Sequence, residues 1–463
     1  MAASQPSPAP APEDLRIALR VGRHGVIVNT SADWQNRAAE RNSEGVRSLD
    51  AQEAWVPSRG RGAAMSWNGH PVIDLDSHIV ERPDRFYRDY LDPAYRDAYQ
   101  QLCDAVTRQA EAGNAYSLFG SRTSIVEPIE TGRPLGRRDT FGLTRRSNME
   151  GGRRAFPPGR VDALPPIRPE VSWDVTARLE DMDRGQVDVN VLYPTHVSSY
   201  CALRDVGLEN ALYRAYHRWV ADFCAQAPRR LKWTVVANMR DVQAGVAEVR
   251  YWAERDSNAV GVYISPQAPG GKLLDNPDLY PLYEVAQELD LPLLAHGGTS
   301  RPPYGPGSFD LDGAWFLLHS FSNPWAGMAA LGALVGGGIF EMFPALRVAI
   351  IETGGGWLPL ALDRLDTHYI MSPGHVPNLK RLPREVLAEG RYFHAIDTWE
   401  RSLEFCVEEL GEDLWLFASD WPHGDTAWPE SVEQVVKRPR LTERAKQKIL
   451  AGNALRLCPR LRA

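Results

Sequence analysis

The chain has 463 residues, of which 43% are hydrophobic and 24% are charged, and these values are ordinary for a globular enzyme. A formal net charge of -7 argues against a nucleic-acid partner, because phosphates call for a basic surface. No apolar run reaches the roughly 18 residues of a membrane span, and the N-terminus lacks a signal-peptide layout, so we expect a cytoplasmic protein with no membrane partner.

Residues 1–64 are rich in Ala, Pro, Ser and Arg and show no sustained periodicity. A segment of this composition does not bury enough apolar surface to form a core of its own. We predict a flexible N-terminal extension over residues 1–64, followed by a single catalytic domain over residues 65–463.

The first predicted strand, Val72–Asp76, ends in a carboxylate and is followed two residues later by an imidazole. Residues at i and i+2 of a strand point to the same face, so Asp76 and His78 can act together as ligands of one metal ion. The alternative is that both side chains merely cap the strand.

The segment from about residue 101 to residue 170 is the other irregular part of the sequence. Between Arg133 and Arg168 it carries nine arginines, with few acidic residues. We predict an insertion after the first strand. It is either a solvated surface segment or a lid whose arginines meet an anionic substrate, since arginine pairs bidentately with carboxylates.

From Trp173 onward, apolar strands alternate with amphipathic helices, and this order indicates parallel β/α units. With Val72–Asp76 the predicted strands number eight, which predicts a (β/α)8 TIM-like barrel. The other seven predicted strands are Val187–Tyr193, Leu231–Asn238, Ala259–Ser265, Leu291–His296, Arg347–Glu352, Tyr392–Asp397 and Leu414–Ser419.

Metal-binding residue types stand at or just beyond several of these strand ends, where a (β/α)8 barrel builds its active site. Beyond the first strand they are His196, His296, Glu352, Asp420 and His423. The five cysteines are scattered without a C-x-x-C pair, so any metal must be held by histidines and carboxylates. This arrangement predicts a metal-dependent enzyme.

These residues resemble the amidohydrolase superfamily, in the branch that includes aminocarboxymuconate-semialdehyde decarboxylase and the resorcylate decarboxylases. The resemblance covers about residues 70–463 and implies a TIM-like barrel whose catalytic metal is held by Asp76, His78, His296 and Asp420. It also leaves a homodimer open. The matching segments are Asp74–His78, Ala177–Asp183, Val191–Pro194, Ala295–Gly297, Phe343–Arg347 and Ala418–His423.

Two features depart from the decarboxylases of this branch. Their His-x-x-Arg pattern after the fifth strand would fall near Ala330 and Ala333, where both functional side chains are absent. Glu352 stands where the decarboxylase histidine would be. Hydrolysis of a carbonyl-activated bond in a small anionic substrate is therefore the leading hypothesis, and nonoxidative decarboxylation is the alternative.

In the leading hypothesis, a divalent metal lowers the pKa of bound water and generates hydroxide at neutral pH. Asp420 accepts the proton and returns it to the leaving group. His319 or His196 polarises the scissile carbonyl, and Glu352 contacts the substrate or the water.

The set of oxygen and nitrogen donors suits Zn, Mn or Fe and exceeds what one ion needs. Glu352, His423 and His319 are candidates for a second metal, and this keeps a dinuclear non-haem iron monooxygenase as a further alternative. In the simpler interpretation, one ion is bound and His423 orients Asp420. The glycine-rich stretches match no phosphate-binding motif, so no nucleotide cofactor is predicted.

Overall fold

The structure is a computed structural model, and it describes residues 67–81, 89–111, 168–195, 197, 203, 205–269, 271–297, 315–423 and 426–462. The predicted N-terminal extension, residues 1–64, lies wholly outside these ranges, as does most of the predicted insertion. At the two ends of that insertion, residues 101–111 belong to an α-helix and Pro169–Ser172 form a short 3-10 helix.

Eight parallel strands form one sheet in which each strand pairs with the next along the chain. They are β1 (Ile73–Ile79), β2 (Val189–Pro194), β3 (Leu231–Val236), β4 (Ala259–Ile264), β5 (Leu293–His296), β6 (Val348–Ile351), β7 (Tyr392–Asp397) and β8 (Trp415–Ala418). This confirms the (β/α)8 TIM-like fold. The first strand continues to Ile79, so that Asp76 and His78 both lie within it.

Helices alternate with the strands. They are α1 (Arg96–Glu111), α2 (Val175–Arg184), α3 (Val206–Cys224), α4 (Val242–Arg255), α5 (Tyr280–Glu288), α6 (Trp315–Gly336), α7 (Ile339–Met342), α8 (Leu358–Met371), α9 (Pro383–Ala388), α10 (Leu403–Leu410), α11 (Ser431–Val436), α12 (Glu443–Gln447) and α13 (Asn453–Leu457). None of the described helices is both long and apolar enough to cross a bilayer. The cytoplasmic location and the homodimer stay predictions.

The sequence explains where the elements begin and why the strands are central. Asp205 and Asp241 cap α3 and α4, because each carboxylate accepts a hydrogen bond from a backbone N–H of the first turn. Each strand is buried along nearly its whole length, as expected for parallel strands that are covered on both faces.

The barrel closes where β1 meets the residues that follow β8. His78 N donates to Trp421 O at 2.7 Å, and Asp420 N donates to Asp76 O at 2.9 Å. Two residues before Asp76 on β1, the buried Asp74 carboxylate accepts a hydrogen bond from the backbone N–H of Ser419 at 2.9 Å and another from the Ser419 hydroxyl at 2.6 Å. This seam sets Asp420 beside Asp76 and His78 of β1.

Candidate metal centre

Five side chains from four strand ends converge at the C-terminal mouth of the barrel. Asp76 and His78 belong to β1, His296 ends β5, and Glu352 and Asp420 follow β6 and β8. One ligand atom from each of Asp76, His78, His296 and Glu352 lies within 4.8 Å of the others, and the same holds for His78, Asp420 and His423. The two groups share His78 and form one continuous centre.

The distances inside this centre are short. His296 Nε2 lies 3.0 Å from Asp76 Oδ1 and 3.1 Å from His78 Nε2. His78 Nε2 lies 3.3 Å from Asp420 Oδ1, and Glu352 Oε2 lies 3.4 Å from His296 Nε2. The donor atoms therefore surround a space of the size that one coordinated ion fills.

The hydrogen bonds of the two histidines fit a metal ion. His78 Nδ1 donates to Pro194 O at 3.1 Å, and His296 Nδ1 donates to Gly297 O at 2.5 Å. In the neutral rings these bonds leave both Nε2 atoms without a proton. Two such acceptors 3.1 Å apart repel each other unless a cation or a proton lies between them, and a histidine fixed through its other nitrogen is the usual metal ligand.

Burial and close charges set the protonation of the centre. Burial lowers the pKa of His78 to about 3, so its ring is neutral and able to ligate. Burial also disfavours charge on His296, but Asp76 and Glu352 raise its pKa to about 9. Burial opposes ionisation of Asp76, yet His296 and His78 hold its pKa well below the usual range. A cation bound here would take the place of the His296 proton, because histidine ligates as the neutral ring.

Glu352 is held in an unusual backbone conformation. Its φ of 53° lies in the left-handed region that L residues rarely adopt, and the φ of Asp420 is 56°. Asn323 Nδ2, on α6, donates to Glu352 Oε1 at 3.2 Å, while Oε2 faces the two histidines. A Cβ on Gly297 would lie 2.4 Å from the carbonyl oxygen of Glu352, so this neighbour must be glycine.

A cavity of about 380 Å³ adjoins the centre. Glu352 and Asp420 line it, together with Asn323, Trp357 and Asp397. The described part of its lining includes four carboxylates and neither lysine nor arginine. Positive charge for an acidic substrate would therefore come from a metal ion or from residues outside the described ranges.

The remaining predicted site residues are placed as follows. His423 lies next to Asp420, with Nδ1 2.6 Å from Asp420 Oδ1. His196 lies outside the described residues, and for His319 only the backbone, within α6, is described. Asn323 and Thr195, whose Oγ1 lies 3.2 Å from His423 Nε2, were not predicted from the sequence. Asn323 precedes Pro324 inside α6, which is otherwise mostly apolar. This polar residue beside a proline is the one local sequence feature that indicates a role for Asn323.

A parallel (β/α)8 barrel with histidines and carboxylates converging at the ends of β1, β5, β6 and β8 defines a class of metal-dependent enzymes. The amidohydrolase family model matches residues 156–460, and the chain belongs to this family. The resemblance found in the sequence is thereby confirmed.

Two curated relatives are decarboxylases. The chain is 25% identical over 294 residues to 2-amino-3-carboxymuconate-6-semialdehyde decarboxylase from Dictyostelium discoideum, a match covering 61% of this chain and 76% of the relative. It is 23% identical over 310 residues to gamma-resorcylate decarboxylase from a Polaromonas species, covering 62% of this chain and 91% of the relative.

Solved structures share the fold. The 5-carboxyvanillate decarboxylase from Sphingomonas paucimobilis is 19% identical with a TM-score of 0.58, covering 84% of this chain and 99% of that one. A dihydroxybenzoic acid decarboxylase from a Polaromonas species is 17% identical with a TM-score of 0.57, covering 84% and 96%. The latter structure holds manganese and the inhibitor 2-nitroresorcinol.

Proposed function

We propose that this chain is a metal-dependent carboxy-lyase that releases CO2 from a small organic acid without consuming O2. This proposal rests on one observation, the convergence at the mouth of the barrel of five side chains: Asp76, His78, His296, Glu352 and Asp420. Two curated relatives with decarboxylase names support this reaction over the hydrolysis favoured by the sequence.

Asp76, His78, His296 and Asp420 would hold one divalent ion, and manganese is the first choice because a related fold binds it. When bound, such an ion would supply the positive charge that binds and polarises an acidic substrate. The Nδ1–H bonds of His78 and His296 to backbone carbonyls keep the ligand nitrogens aimed at the centre.

Loss of CO2 leaves a carbon that must take up a proton, so that R–COO⁻ and H⁺ give R–H and CO2. The side chains of Glu352 and Asp420 are 19% and 17% exposed and line the cavity, whereas that of Asp76 is 1% exposed. Among the carboxylates of the centre, Glu352 or Asp420 would therefore supply the proton that replaces CO2. Glu352 stands at the position where the decarboxylases that this sequence resembles have a histidine.

Hydrolysis is the second candidate, and Glu352 is the observation that favours it. A carboxylate at this position suits proton transfer from metal-bound water, and Ala330 and Ala333 replace the His-x-x-Arg pair of the decarboxylases. The dinuclear iron monooxygenase stays a hypothesis from the sequence.

The test is turnover of the manganese-loaded protein on a panel of hydroxybenzoates and unsaturated short-chain acids in D2O. We expect CO2 release without O2 uptake, with one deuterium at the carbon that carried the carboxylate. Asp420→Asn should abolish turnover while keeping the circular dichroism spectrum of the fold. Incorporation of solvent oxygen without CO2 would instead establish hydrolysis, and O2 uptake would establish oxygenation.

A further inference from the structure

A fully buried arginine on α2 is hydrogen-bonded to the strand that carries two of the proposed ligands. Arg178 is 0% exposed. Its Nη1 donates to His78 O at 3.0 Å and to Val171 O at 3.2 Å, and its Nη2 donates to Ser77 Oγ at 2.7 Å and to His78 O at 3.0 Å. Three of these four hydrogen bonds therefore go to β1, and all four acceptors are neutral oxygens.

The burial of this charge makes the position of its acceptors costly to change. A guanidinium stays protonated inside a protein, and its lost hydration is offset only where hydrogen bonds replace the water. Within the described part of the chain, no hydrogen bond joins Arg178 to a carboxylate. A shift of the His78 carbonyl or of the Ser77 hydroxyl would therefore leave part of a buried charge without an acceptor.

The same hydrogen bonds extend across the seam of the barrel. Ser77 Oγ lies 3.0 Å from Trp421 O, and a carbonyl oxygen can only accept, so the Ser77 hydroxyl donates to Trp421 and its oxygen accepts from Arg178. Trp421 O also accepts from His78 N at 2.7 Å. Arg178, Ser77 and Trp421 thus form a continuous link between β1 and the segment after β8.

Arg178 contacts the side chain of Trp421 as well. Its Cζ lies 4.6 Å from the centroid of the Trp421 ring, which is a cation–π distance. That ring stacks on Trp428, with centroids 4.7 Å apart. A Cβ on Gly185, the residue after α2, would lie 2.0 Å from the Trp428 ring, so the backbone there packs directly on the indole. The two indoles are held against α2 at Arg178 and at Gly185.

Both backbone segments joined by this link carry a proposed metal ligand. His78 supplies the carbonyl that accepts twice from Arg178. Asp420 directly precedes Trp421, and its N–H donates to Asp76 O at 2.9 Å. His78 Nε2 lies 3.3 Å from Asp420 Oδ1, so a small shift between the two segments would change the distance between two ligand atoms.

We infer that Arg178 is a positioning residue for the metal centre. It fixes the backbone of β1 against the Trp421 segment and thereby sets where His78 and Asp420 place their side chains. Arg178 acts only through these backbone contacts. The inference rests on the metal-dependent function proposed above.

Arg230 offers a matched control near the N-terminal ends of β2 and β3. It directly precedes β3, is 8% exposed, and donates to Val187 O at 2.7 Å and to Asp188 O at 3.0 Å, just before β2. Methionine at either position removes a buried guanidinium from backbone carbonyls, so Arg178→Met and Arg230→Met should both lower stability. We expect only Arg178→Met to weaken Mn2+ binding, by about 10–100-fold, while Arg230→Met stays within about threefold of the wild type.

Ser77→Ala is a milder variant that serves if Arg178→Met does not fold. It removes only the hydroxyl between Arg178 and Trp421, and we expect the Mn2+ affinity to fall about 3–10-fold, the usual effect of one lost hydrogen bond. Equal losses of Mn2+ affinity in Arg178→Met and Arg230→Met would overturn the inference. A wild-type affinity in Ser77→Ala would do the same.

Hydrogen exchange of the metal-free, full-length chain tests the link without a metal ion. Mass spectrometry compares peptides that cover residues 72–81 and 415–423 with a peptide of β4 from the same variant. Relative to β4, the seam peptides should exchange about tenfold faster in Arg178→Met and Ser77→Ala than in the wild type, and should not change in Arg230→Met.

An unchanged ratio of seam to β4 exchange in Arg178→Met and Ser77→Ala would refute the positioning role. A wild-type chain that binds no Mn2+ would contradict the proposed function. The exchange ratios would in that case still decide whether Arg178 fixes the seam, so the two failures are distinguishable.

Discussion

At the scale of single residues, two carboxylates of the centre have strained backbones. Glu352 and Asp420 both have φ near +55°, with values of 53° and 56°, and each follows the end of a strand. A non-glycine residue in this region costs on the order of 1 kcal/mol or more and persists only where surrounding contacts hold it. Such strain concentrates at functional sites, and here Glu352 lies beside His78 and His296 while Asp420 lies beside His78.

Asn323 is one of the contacts that hold Glu352, and its amide donates to Oε1 at 3.2 Å. Asn323→Leu keeps most of the side-chain volume and removes this donor, so the carboxylate is free to turn away from the centre. We expect kcat or Mn2+ affinity to fall about 10–100-fold, the usual effect of losing a residue that orients a metal-site group. Steady-state kinetics and Mn2+ titration measure both quantities.

Ser322→Ala is the matched control for Asn323→Leu. Ser322 is the preceding residue on α6, it is 1% exposed, and its hydroxyl has no hydrogen-bond partner among the described residues. This variant should keep its Mn2+ affinity within about twofold of the wild type. If Ser322→Ala and Asn323→Leu have the same effect, the role assigned to Asn323 is wrong.

The sequence made some residues of the centre predictable and others not. Asp76 and His78 stand two positions apart on a strand, and His296 and Asp420 stand at or just beyond strand ends, so local patterns located all four. Asn323 and Thr195 act on partners 29 and 228 residues away. Contacts of that separation leave no local pattern, because only the folded barrel brings the two chain segments together.

At the scale of elements, β7 supports the loop that follows Glu352. His394 Nε2–H donates to Gly354 O at 2.7 Å, and His394 Nδ1 accepts from the Tyr392 hydroxyl at 2.7 Å. Glu400, just beyond β7, accepts from the backbone N–H groups of Gly355 and Gly356. The bounds of β7, Tyr392–Asp397, were predicted from the sequence. No role was predicted for His394, because the strand was identified as a buried, mainly apolar segment.

His394 gives the stability of this element a pH dependence. Burial lowers its pKa to about 4, against about 6.5 in the unfolded chain. Because the folded state binds the proton less well, the stabilisation is complete above pH 6.5 and is lost as the pH falls from 6.5 toward 4. The loss amounts to at most about 3 kcal/mol of unfolding free energy.

Urea unfolding of the wild type and His394→Gln at pH 7, 5.5 and 4.5 measures this contribution. The glutamine amide can donate to Gly354 O without titrating, so the wild type should lose more stability than the variant as the pH falls. A difference between the two proteins that stays constant over this pH range would contradict the assignment.

At the scale of the whole molecule, the metal centre lies across the seam that closes the barrel. The eight strands were predictable because buried parallel strands are apolar runs separated by helices. The seam was not predictable from the sequence. It depends on hydrogen bonds between β1 and three residues more than 340 positions further along the chain, Ser419, Asp420 and Trp421. If the proposed ligands on both sides of this seam hold an ion, metal binding is coupled to barrel closure.

Metal binding should therefore stabilise the entire barrel. The proposed ion is held by Asp76 and His78 on one side of the seam and by Asp420 on the other. It binds only the folded chain, because the unfolded chain does not bring these ligands together. At a concentration 100 times its Kd, Mn2+ should add about 2.7 kcal/mol to the free energy of unfolding. Thermal melts with Mn2+ and with EDTA should differ by several degrees, whereas Asp76→Asn should show a much smaller difference. Equal melting temperatures of the wild type in Mn2+ and EDTA would show that the seam closes independently of the metal.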